Sequence, residues 1–229
     1  MKSRAWVAVV AASVALVALV TPVLGAGATT ATVAVTKISA RSLLFKLPVA
    51  AEAGAATYSR TKFKYPIDAN RDCQNTRAEV LISETKAPVT FTTSAHCYVK
   101  TGKWYSYYDG VTVTVASGVQ IDHLVPLEQA WVSGARSWTT SDRTRFANDL
   151  AYGPTLVAVT THINESKGDR DPAHWLPPRA AARCTYATQW VEVKYRWRLA
   201  IDKLERTALG SLLSGSCGTH LVSLPPRGR

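Results

Sequence analysis

Apolar and polar residues alternate along the stretch before the middle of the chain. Residues 89–91, 97–99 and 111–115 show this two-residue period, with Gly102 and Gly110 between them. A period of two with glycine at the turns is typical of antiparallel hairpins. We therefore predict a small hairpin region, in which the aromatic-rich residues 102–110 connect strands. Packing within the hairpins is the expected use of these aromatic side chains, and stacking on nucleic acid bases is the alternative.

The rest of the pattern favours helices with two strands among them. Residues 180–199 repeat apolar and aromatic side chains every three or four positions, which indicates a long amphipathic helix. Gly168 is expected to end a helix over 161–167. An α+β fold class follows from this mixture of elements. Further helices are predicted over 78–84, 128–138, 143–148 and 202–213, and strands over 119–127 and 155–160.

The first 25 residues have the composition of a secretory signal peptide. Lys2 and Arg4 precede an almost unbroken apolar run, and small residues follow from Gly25. Pro22 and these small residues favour cleavage near Gly25 over a continued helix. We predict an exported protein without a stable membrane partner after cleavage. The alternative is an uncleaved anchor, because an apolar run of about 20 residues can span a bilayer.

The mature chain is predicted to contain one domain. Residues 26–62 are rich in Ala, Thr, Val and Ser without a sustained period, so we expect a poorly ordered linker or pro-segment. Residues 63–217 form the candidate domain, which is long enough for a single core. Residues 218–229 are expected to be a loose tail. The pattern indicates no oligomeric state.

The four cysteines lie within this candidate domain. An even number in an exported chain favours two disulfides over free thiols. Pairing Cys73 with Cys97 and Cys184 with Cys217 closes the shortest loops among the three possible connectivities. A zinc site is the weaker alternative, since there is no C-x-x-C pair and His96 is the only imidazole nearby.

The chain carries a large excess of positive charge. Its formal net charge is +11, and removal of Lys2 and Arg4 with the signal peptide leaves 25 basic and 16 acidic residues, or +9. Such a surface attracts polyanions, which include nucleic acid, anionic cell wall polymers and membrane surfaces. The charge does not choose among them, and solubility alone is another explanation.

Candidate chemistry concentrates in an ordered set of polar residues. Asp122 and His123 stand side by side in a strand-like run, Asn148 follows a predicted helix, and Asn164 lies on the helix after the next predicted strand. Each residue alone is a weak signal, because a lone histidine on a strand is usually structural. The order is more specific, since it places a carboxylate and an imidazole on one strand and an amide on a nearby helix.

These residues resemble the HNH class of ββα-metal nucleases. The resemblance rests on Ile-Asp-His-Leu-Val-Pro-Leu at 121–127, on Asn148, and on residues 159–169, which end in Asn-Glu-Ser-Lys-Gly-Asp. The Asp-His-x-Val-Pro and Asn-x-x-Lys-Gly segments are also similar to the nuclease domain of RNA-guided CRISPR enzymes. Residues 122–178 resemble exported actinobacterial HNH-family proteins, and a looser similarity covers 72–217.

The resemblance implies a fold, a reaction and a role for each residue. The fold is a ββα-metal (HNH/His-Me finger) core with added helices, and the reaction is metal-dependent cleavage of DNA, or of RNA, to 5′-phosphate and 3′-hydroxyl ends. Asp122 and Asn164 would bind one Mg²⁺ or Mn²⁺ ion, His123 would be the general base, and Asn148 would fix a loop. Asn164 stands where many members have histidine, which bears on metal preference more than on activity.

These residue types suit phosphodiester hydrolysis. Neutral imidazole takes a proton from water near neutral pH, and hard oxygen ligands suit Mg²⁺ or Mn²⁺. Lys167 and Arg170 are candidates to hold a neighbouring phosphate, with solvated surface charge as the alternative. DNA is favoured over RNA as the partner.

Two other functions compete with a nuclease. One is a non-catalytic, secreted cationic protein that binds DNA or cell wall on the same fold, for which Asp122 and His123 would be dispensable. The other is a phosphatase, which would act on small phosphate esters without preference for polymers. The charge and the ordered polar set together favour the secreted endonuclease.

Overall fold

The computed structural model describes residues 36–229. The predicted signal peptide, 1–25, and residues 26–35 of the predicted linker lie outside the described residues. Within residues 36–229, no helix is both long and apolar enough to cross a membrane.

Short strands alternate with helices throughout the described part. The strands are β1 (Lys37–Ser39), β2 (Thr90–Phe91), β3 (Val99–Ser106), β4 (Val111–Val115), β5 (Val119–His123), β6 (Leu156–Thr160) and β7 (Leu221–Ser223). The helices are α1 (Ala40–Leu44), α2 (Thr76–Glu84), α3 (Leu127–Val132), α4 (Thr140–Ala147), α5 (Thr161–Lys167), α6 (Arg183–Trp197), α7 (Lys203–Leu212) and α8 (Gly215–Thr219).

The strands form small antiparallel sheets, as an α+β protein requires. The order β2-β3-β4 makes the predicted hairpin region, β1 pairs with β7, and β5 pairs with β6. In the last pair Val119 lies opposite Thr160 and His123 lies opposite Leu156. Because α5 begins at the residue after β6, this two-stranded sheet passes directly into a helix.

Local capping signals set the ends of the two helices beside the candidate residues. The Thr160 side chain accepts a hydrogen bond from the backbone N–H of Ile163 at the start of α5, and Gly168 ends that helix with φ of 55°. The Thr139 side chain accepts from the N–H of Asp142 at the start of α4. The predicted bounds of α5 are confirmed.

Three predicted elements differ in the structure. The strand expected over 119–127 ends at His123, and Leu127 already begins α3. The helix expected over 128–138 ends at Val132, and Gly134 with φ of 135° turns the chain into a short 3₁₀ segment, Ala135–Ser137. The aromatic residues expected to connect strands belong mainly to β3. Trp104 anchors that strand, because its indole is buried and donates to the Leu81 carbonyl at 2.8 Å.

The core is built around α6. The apolar face of the predicted amphipathic helix is fully or nearly fully buried, as packing against a core requires. It consists of Tyr186, Trp190, Val193 and Trp197. A second buried cluster lies between α2 and the sheets and includes Trp104 and Ile121. The sheet that carries Asp122 and His123 is therefore packed against apolar side chains.

Both ends of the described chain are more ordered than the sequence suggested. The described residues, 36–229, belong to one compact unit, so the unit does not begin at residue 63. Leu43 and Leu44 of α1 are buried in the main core. Their burial removes apolar surface from water, which a disordered linker would leave exposed. This burial stabilises the segment against the rest of the core.

Residues 218–229, which were expected to be a loose tail, are also ordered. β7 adds to β1, with Val222 opposite Ile38, and the Gly228 N–H donates to the Arg196 carbonyl at 3.0 Å. Backbone hydrogen bonds to two distant segments account for the difference from a loose tail.

The predicted disulfide pairing is confirmed. Cys73 is bonded to Cys97 and Cys184 to Cys217, across sequence separations of 24 and 33 residues. The first bond ties the turn before α2 to the hairpin region, and the second ties the start of α6 to α8.

Candidate active site

The candidate site lies where β5, β6 and α5 meet. Asp122 and His123 are the last two residues of β5, and Asn164 and Lys167 are on α5. Three of the residues expected from sequence, Asp122, His123 and Asn164, line one cleft with a volume of about 190 Å³. The structure thus brings together the carboxylate, the imidazole and the amide.

Asp122 is held from two sides. Its Oδ1 accepts a hydrogen bond from Lys167 Nζ at 2.8 Å, and its Oδ2 accepts one from the Tyr108 hydroxyl at 2.7 Å. Lys167 Nζ also donates to the His123 carbonyl at 3.0 Å. Burial raises the pKa of Asp122, and the Lys167 charge opposes that rise. The carboxylate is therefore fixed in direction while one edge borders the cleft.

The His123 ring is oriented by a backbone carbonyl. Its Nε2 lies 2.9 Å from the Ala147 oxygen, which can only accept, so Nε2 carries the hydrogen and Nδ1 of the neutral ring has the lone pair. Burial lowers the pKa of His123 to about 3, and the positive charges of Arg60 and Lys167 add to this effect. The ring is thus neutral at physiological pH, which is the form a general base needs.

Asn164, on α5, is oriented by the side chain of Gln120 on β5. Its Nδ2 donates to Gln120 Oε1 at 2.6 Å. This bond directs the amide nitrogen towards Gln120 and leaves Oδ1 available to another partner. A hard cation prefers such neutral oxygen ligands together with carboxylates.

The donor chemistry fits a divalent cation. An ionised carboxylate has about four lone-pair sites, so the two hydrogen bonds to Asp122 leave acceptor capacity on each oxygen. With Oδ1 of Asn164 this makes two oxygen-bearing ligands on adjacent elements. Asp122 and Asn164 are the residues that would hold the ion, and water and phosphate oxygens would complete its coordination.

Asn148 lies outside the cleft but supports its wall. Its Nδ2 donates to the Lys64 and Thr144 carbonyls at 3.0 and 2.7 Å, and its Oδ1 accepts from the Ile67 N–H at 3.2 Å. These bonds tie the end of α4 to the segment that holds Tyr65. The Tyr65 ring is 4.7 Å from that of His123, centroid to centroid. The geometry is that of a residue that fixes a loop.

The role expected for Lys167 needs correction. Its side chain is completely buried, and its ammonium is engaged by Asp122 and the His123 carbonyl. Such a group cannot reach a substrate phosphate, because the surrounding protein excludes it. Arg170 is exposed, and its guanidinium donates to the Ser166 and Lys167 carbonyls at the end of α5. It therefore caps the helix, and its phosphate contact stays a prediction.

Sequence reasoning missed three contributors to the site. Tyr108 holds Asp122, while Arg60 and Asp169 line the cleft. Asp169 is the last residue of the Asn-Glu-Ser-Lys-Gly-Asp segment, so the sequence did contain a signal for it. Arg60 had no such signal, because it lies in the segment assigned to a linker. Tyr108 was one of several aromatic residues in a predicted hairpin connection.

The chain matches a known protein family over most of the described region. The family model is that of GmrSD restriction endonucleases, C-terminal domain, and the match covers residues 76–211. The chain is also 45% identical over 177 residues to an "Uncharacterized secreted protein" of Arthroderma benhamiae, which covers 77% of this chain and 84% of that protein. No solved structure matches the chain.

Proposed function

We propose, since this chain belongs to the family of GmrSD restriction endonuclease C-terminal domains, that it is a secreted, metal-dependent endonuclease that hydrolyses phosphodiester bonds. The observation that carries the proposal is the shared cleft of Asp122, His123 and Asn164. The family supports nuclease activity on nucleic acid. The HNH type, the metal requirement and the individual residue roles are our own assignment.

In this proposal each side chain of the cleft has a separate role. His123 receives a proton from water at Nδ1, because Nε2 is bonded to the Ala147 carbonyl. Asp122 and Asn164 would hold the cation, and Lys167 and Tyr108 keep the Asp122 carboxylate in place. When bound, Mg²⁺ or Mn²⁺ neutralises charge that develops on the phosphate and the leaving oxygen. Positioning and charge stabilisation account for much of the catalysis of phosphoryl transfer.

Export and substrate choice are part of the same proposal. The N-terminal composition typical of a signal peptide and the word "secreted" in the name of the relative support export. The charge of +9 expected after signal cleavage favours a polyanionic substrate. We propose DNA ahead of RNA, cut with little sequence preference, since no recognition helix or zinc module stands out in the sequence.

A plasmid-nicking assay tests the proposal. The protein should nick DNA with Mg²⁺ or Mn²⁺ and stop when EDTA is added. His123→Ala should lower the rate by ~10² to 10⁴, the usual cost of losing a general base. His162→Ala is the matched control, because His162 is an exposed histidine on the same sheet-following helix that carries Asn164. Nicking that persists in EDTA, or an equal effect of the two variants, would contradict the proposal.

A metal titration separates the roles of the two asparagines. Asn164→Ala should raise the metal concentration needed for activity, and Asn164→His should keep some activity because imidazole also binds Mn²⁺. Asn148→Ala should lower turnover with little change in metal requirement, as loss of a positioning group does. Equal metal dependence of the two alanine variants would show that Asn164 is not a ligand. Binding of DNA without cleavage would instead favour a cationic binding protein.

A further inference from the structure

Arg60 enters the cleft from a segment that precedes the family match. It begins the 3₁₀ turn Arg60–Phe63, whereas the match starts at residue 76. Together with Asp122, His123 and Asn164, Arg60 lines the cleft. Its position therefore belongs to the part of the chain for which neither the motif nor the family assigns a function.

The turn that carries Arg60 is firmly anchored. Phe63 is completely buried, with its ring 6.4 Å from that of Trp131 and 6.2 Å from that of Phe146. The Lys62 carbonyl accepts a hydrogen bond from Arg143 Nε at 3.2 Å. Because core packing fixes the turn at Phe63, the backbone of Arg60 is held at the edge of the cleft and does not need to be ordered by a ligand.

The Arg60 side chain combines exposure with an unpaired charge. It is exposed to solvent, and its guanidinium forms no ion pair with a carboxylate of residues 36–229. Arg196 is the opposite case, since both Nε and Nη2 donate to Asp149 in the core, at 2.7 and 2.9 Å. Arg60 also interacts with the Tyr58 hydroxyl, and its remaining donors are available to a group that enters the cleft.

Among the described residues, Arg60 is the one basic side chain in the cleft lining, beside the carboxylates of Asp122, Glu165 and Asp169, so an anionic group would contact the cleft through Arg60. Lys167 is already engaged with Asp122 and is buried, so it cannot supply a surface cation. The Arg60 charge adds to the lowering of the His123 pKa by burial, and it opposes the rise that burial causes in the pKa of Tyr65. A guanidinium presents N–H groups in a planar fork that matches two phosphate oxygens.

We infer that Arg60 binds a phosphate group of the nucleic acid in the cleft, in the role first expected for Lys167. This inference rests on the proposed nuclease function for its choice of ligand. Arg60 contacts the phosphate through non-bridging oxygens and holds it beside Nδ1 of His123. The N-terminal segment thereby completes a site whose other residues come from the matched region.

Cleavage kinetics and DNA binding test the inference separately. Arg60→Ala should lower kcat/KM for DNA ~10²- to 10³-fold, the scale for loss of one preorganised charge-stabilising group. Arg60→Lys should lie between wild type and Arg60→Ala, since it keeps the charge and loses the fork. Guanidinium ion added to Arg60→Ala should restore part of the rate. Arg41→Ala is the matched control, because Arg41 is exposed on α1 outside the cleft lining.

Binding is measured in the His123→Ala background over a range of salt, with a duplex oligonucleotide as the probe. Arg60→Ala should reduce the slope of log K against log salt by about one, which corresponds to one lost phosphate contact, and Arg41→Ala should not. Thermal unfolding confirms that each variant is folded. Slopes equal to that of the parent would overturn the inference whether or not the protein cleaves DNA. Absence of cleavage by wild type together with a reduced slope would overturn the proposed nuclease and support the phosphate contact.

Discussion

Two lysine–carboxylate pairs with the same chemistry occupy different regions of this protein. Lys167 contacts Asp122 at 2.8 Å beside the cleft, and Lys194 contacts Glu205 at 2.7 Å between α6 and α7. Both lysines are completely buried. Burial raises the pKa of both carboxyl groups, and the paired lysine opposes the rise in each case.

The surroundings separate the two pairs. Around Lys194, the Ser133 hydroxyl, the Ala200 carbonyl and Glu205 accept all three ammonium hydrogens. Trp190 donates to the other oxygen of Glu205, so that pair is closed within the core. Asp122, by contrast, lines the cleft. Pairing with lysine thus stabilises a buried carboxylate in both regions, but only one carboxylate remains within reach of a ligand.

The largest expected effects come from removing each lysine. Lys167→Met and Lys194→Met should each lower the free energy of unfolding by ~3–5 kcal/mol, because each leaves a buried carboxylate without its partner. Only Lys167→Met should also abolish DNA cleavage by the folded protein, since an unpaired Asp122 takes up a proton and loses its ability to bind a cation. Urea unfolding and plasmid nicking measure the two effects.

The comparison would fail if Lys194→Met abolished cleavage at a urea concentration and temperature where it is fully folded. The proposed difference between the two pairs would also be wrong if Lys167→Met kept wild-type cleavage. Asp122 would then function without its ion pair to Lys167.

Replacement of both partners sharpens the contrast. Lys194→Met with Glu205→Leu should recover most of the stability lost by Lys194→Met alone, since apolar residues of similar volume can replace a buried ion pair at little cost. Lys167→Met with Asp122→Leu should also recover stability but should remain inactive. The same unfolding and nicking assays decide the matter. Activity in the second double variant would remove Asp122 from the proposed site.

The disulfide of the helical region should matter for stability alone. Replacement of Cys184 and Cys217 by serine should lower the free energy of unfolding by ~2–4 kcal/mol, mainly by freeing the unfolded chain. Cleavage by the folded variant should be unchanged, because the bond joins α6 to α8 and neither cysteine lines the cleft. Loss of cleavage in a variant that unfolds cooperatively would connect this region to the site.

A smaller effect on the pH dependence of stability is expected from Glu84, a carboxyl group that packs against β6. Glu84 accepts a hydrogen bond from the Ala158 N–H at 2.9 Å, and burial raises its pKa to about 7. Between about 4.5 and 7 the folded state holds a proton that the unfolded state releases, so this contribution to stability falls as pH rises. We expect Glu84→Gln to reduce that pH dependence by less than about 2 kcal/mol. Parallel pH profiles of unfolding for the two proteins would contradict this.

The sequence by itself determined most of the local structure around the site. Apolar periodicity predicted α6, and the limits of α5 were read from Thr161 and Gly168. These signals depend on neighbouring residues, so they survive without knowledge of the rest of the fold. The ordered positions of Asp122, His123 and Asn164 also anticipated which side chains would share a cleft, and short loop closure anticipated both disulfides.

Only the tertiary structure decided which charges face the solvent and which are buried. Lys167 and Arg60 are both basic residues, and no periodicity of the sequence distinguishes them. Lys167 is buried because α5 packs its last turn against β5, beside Asp122. Arg60 reaches the cleft because the burial of Phe63 folds a segment of low sequence signal onto the core. Contacts between residues far apart in the chain bury Lys167 and place Arg60 at the cleft. Local sequence patterns do not predict such contacts.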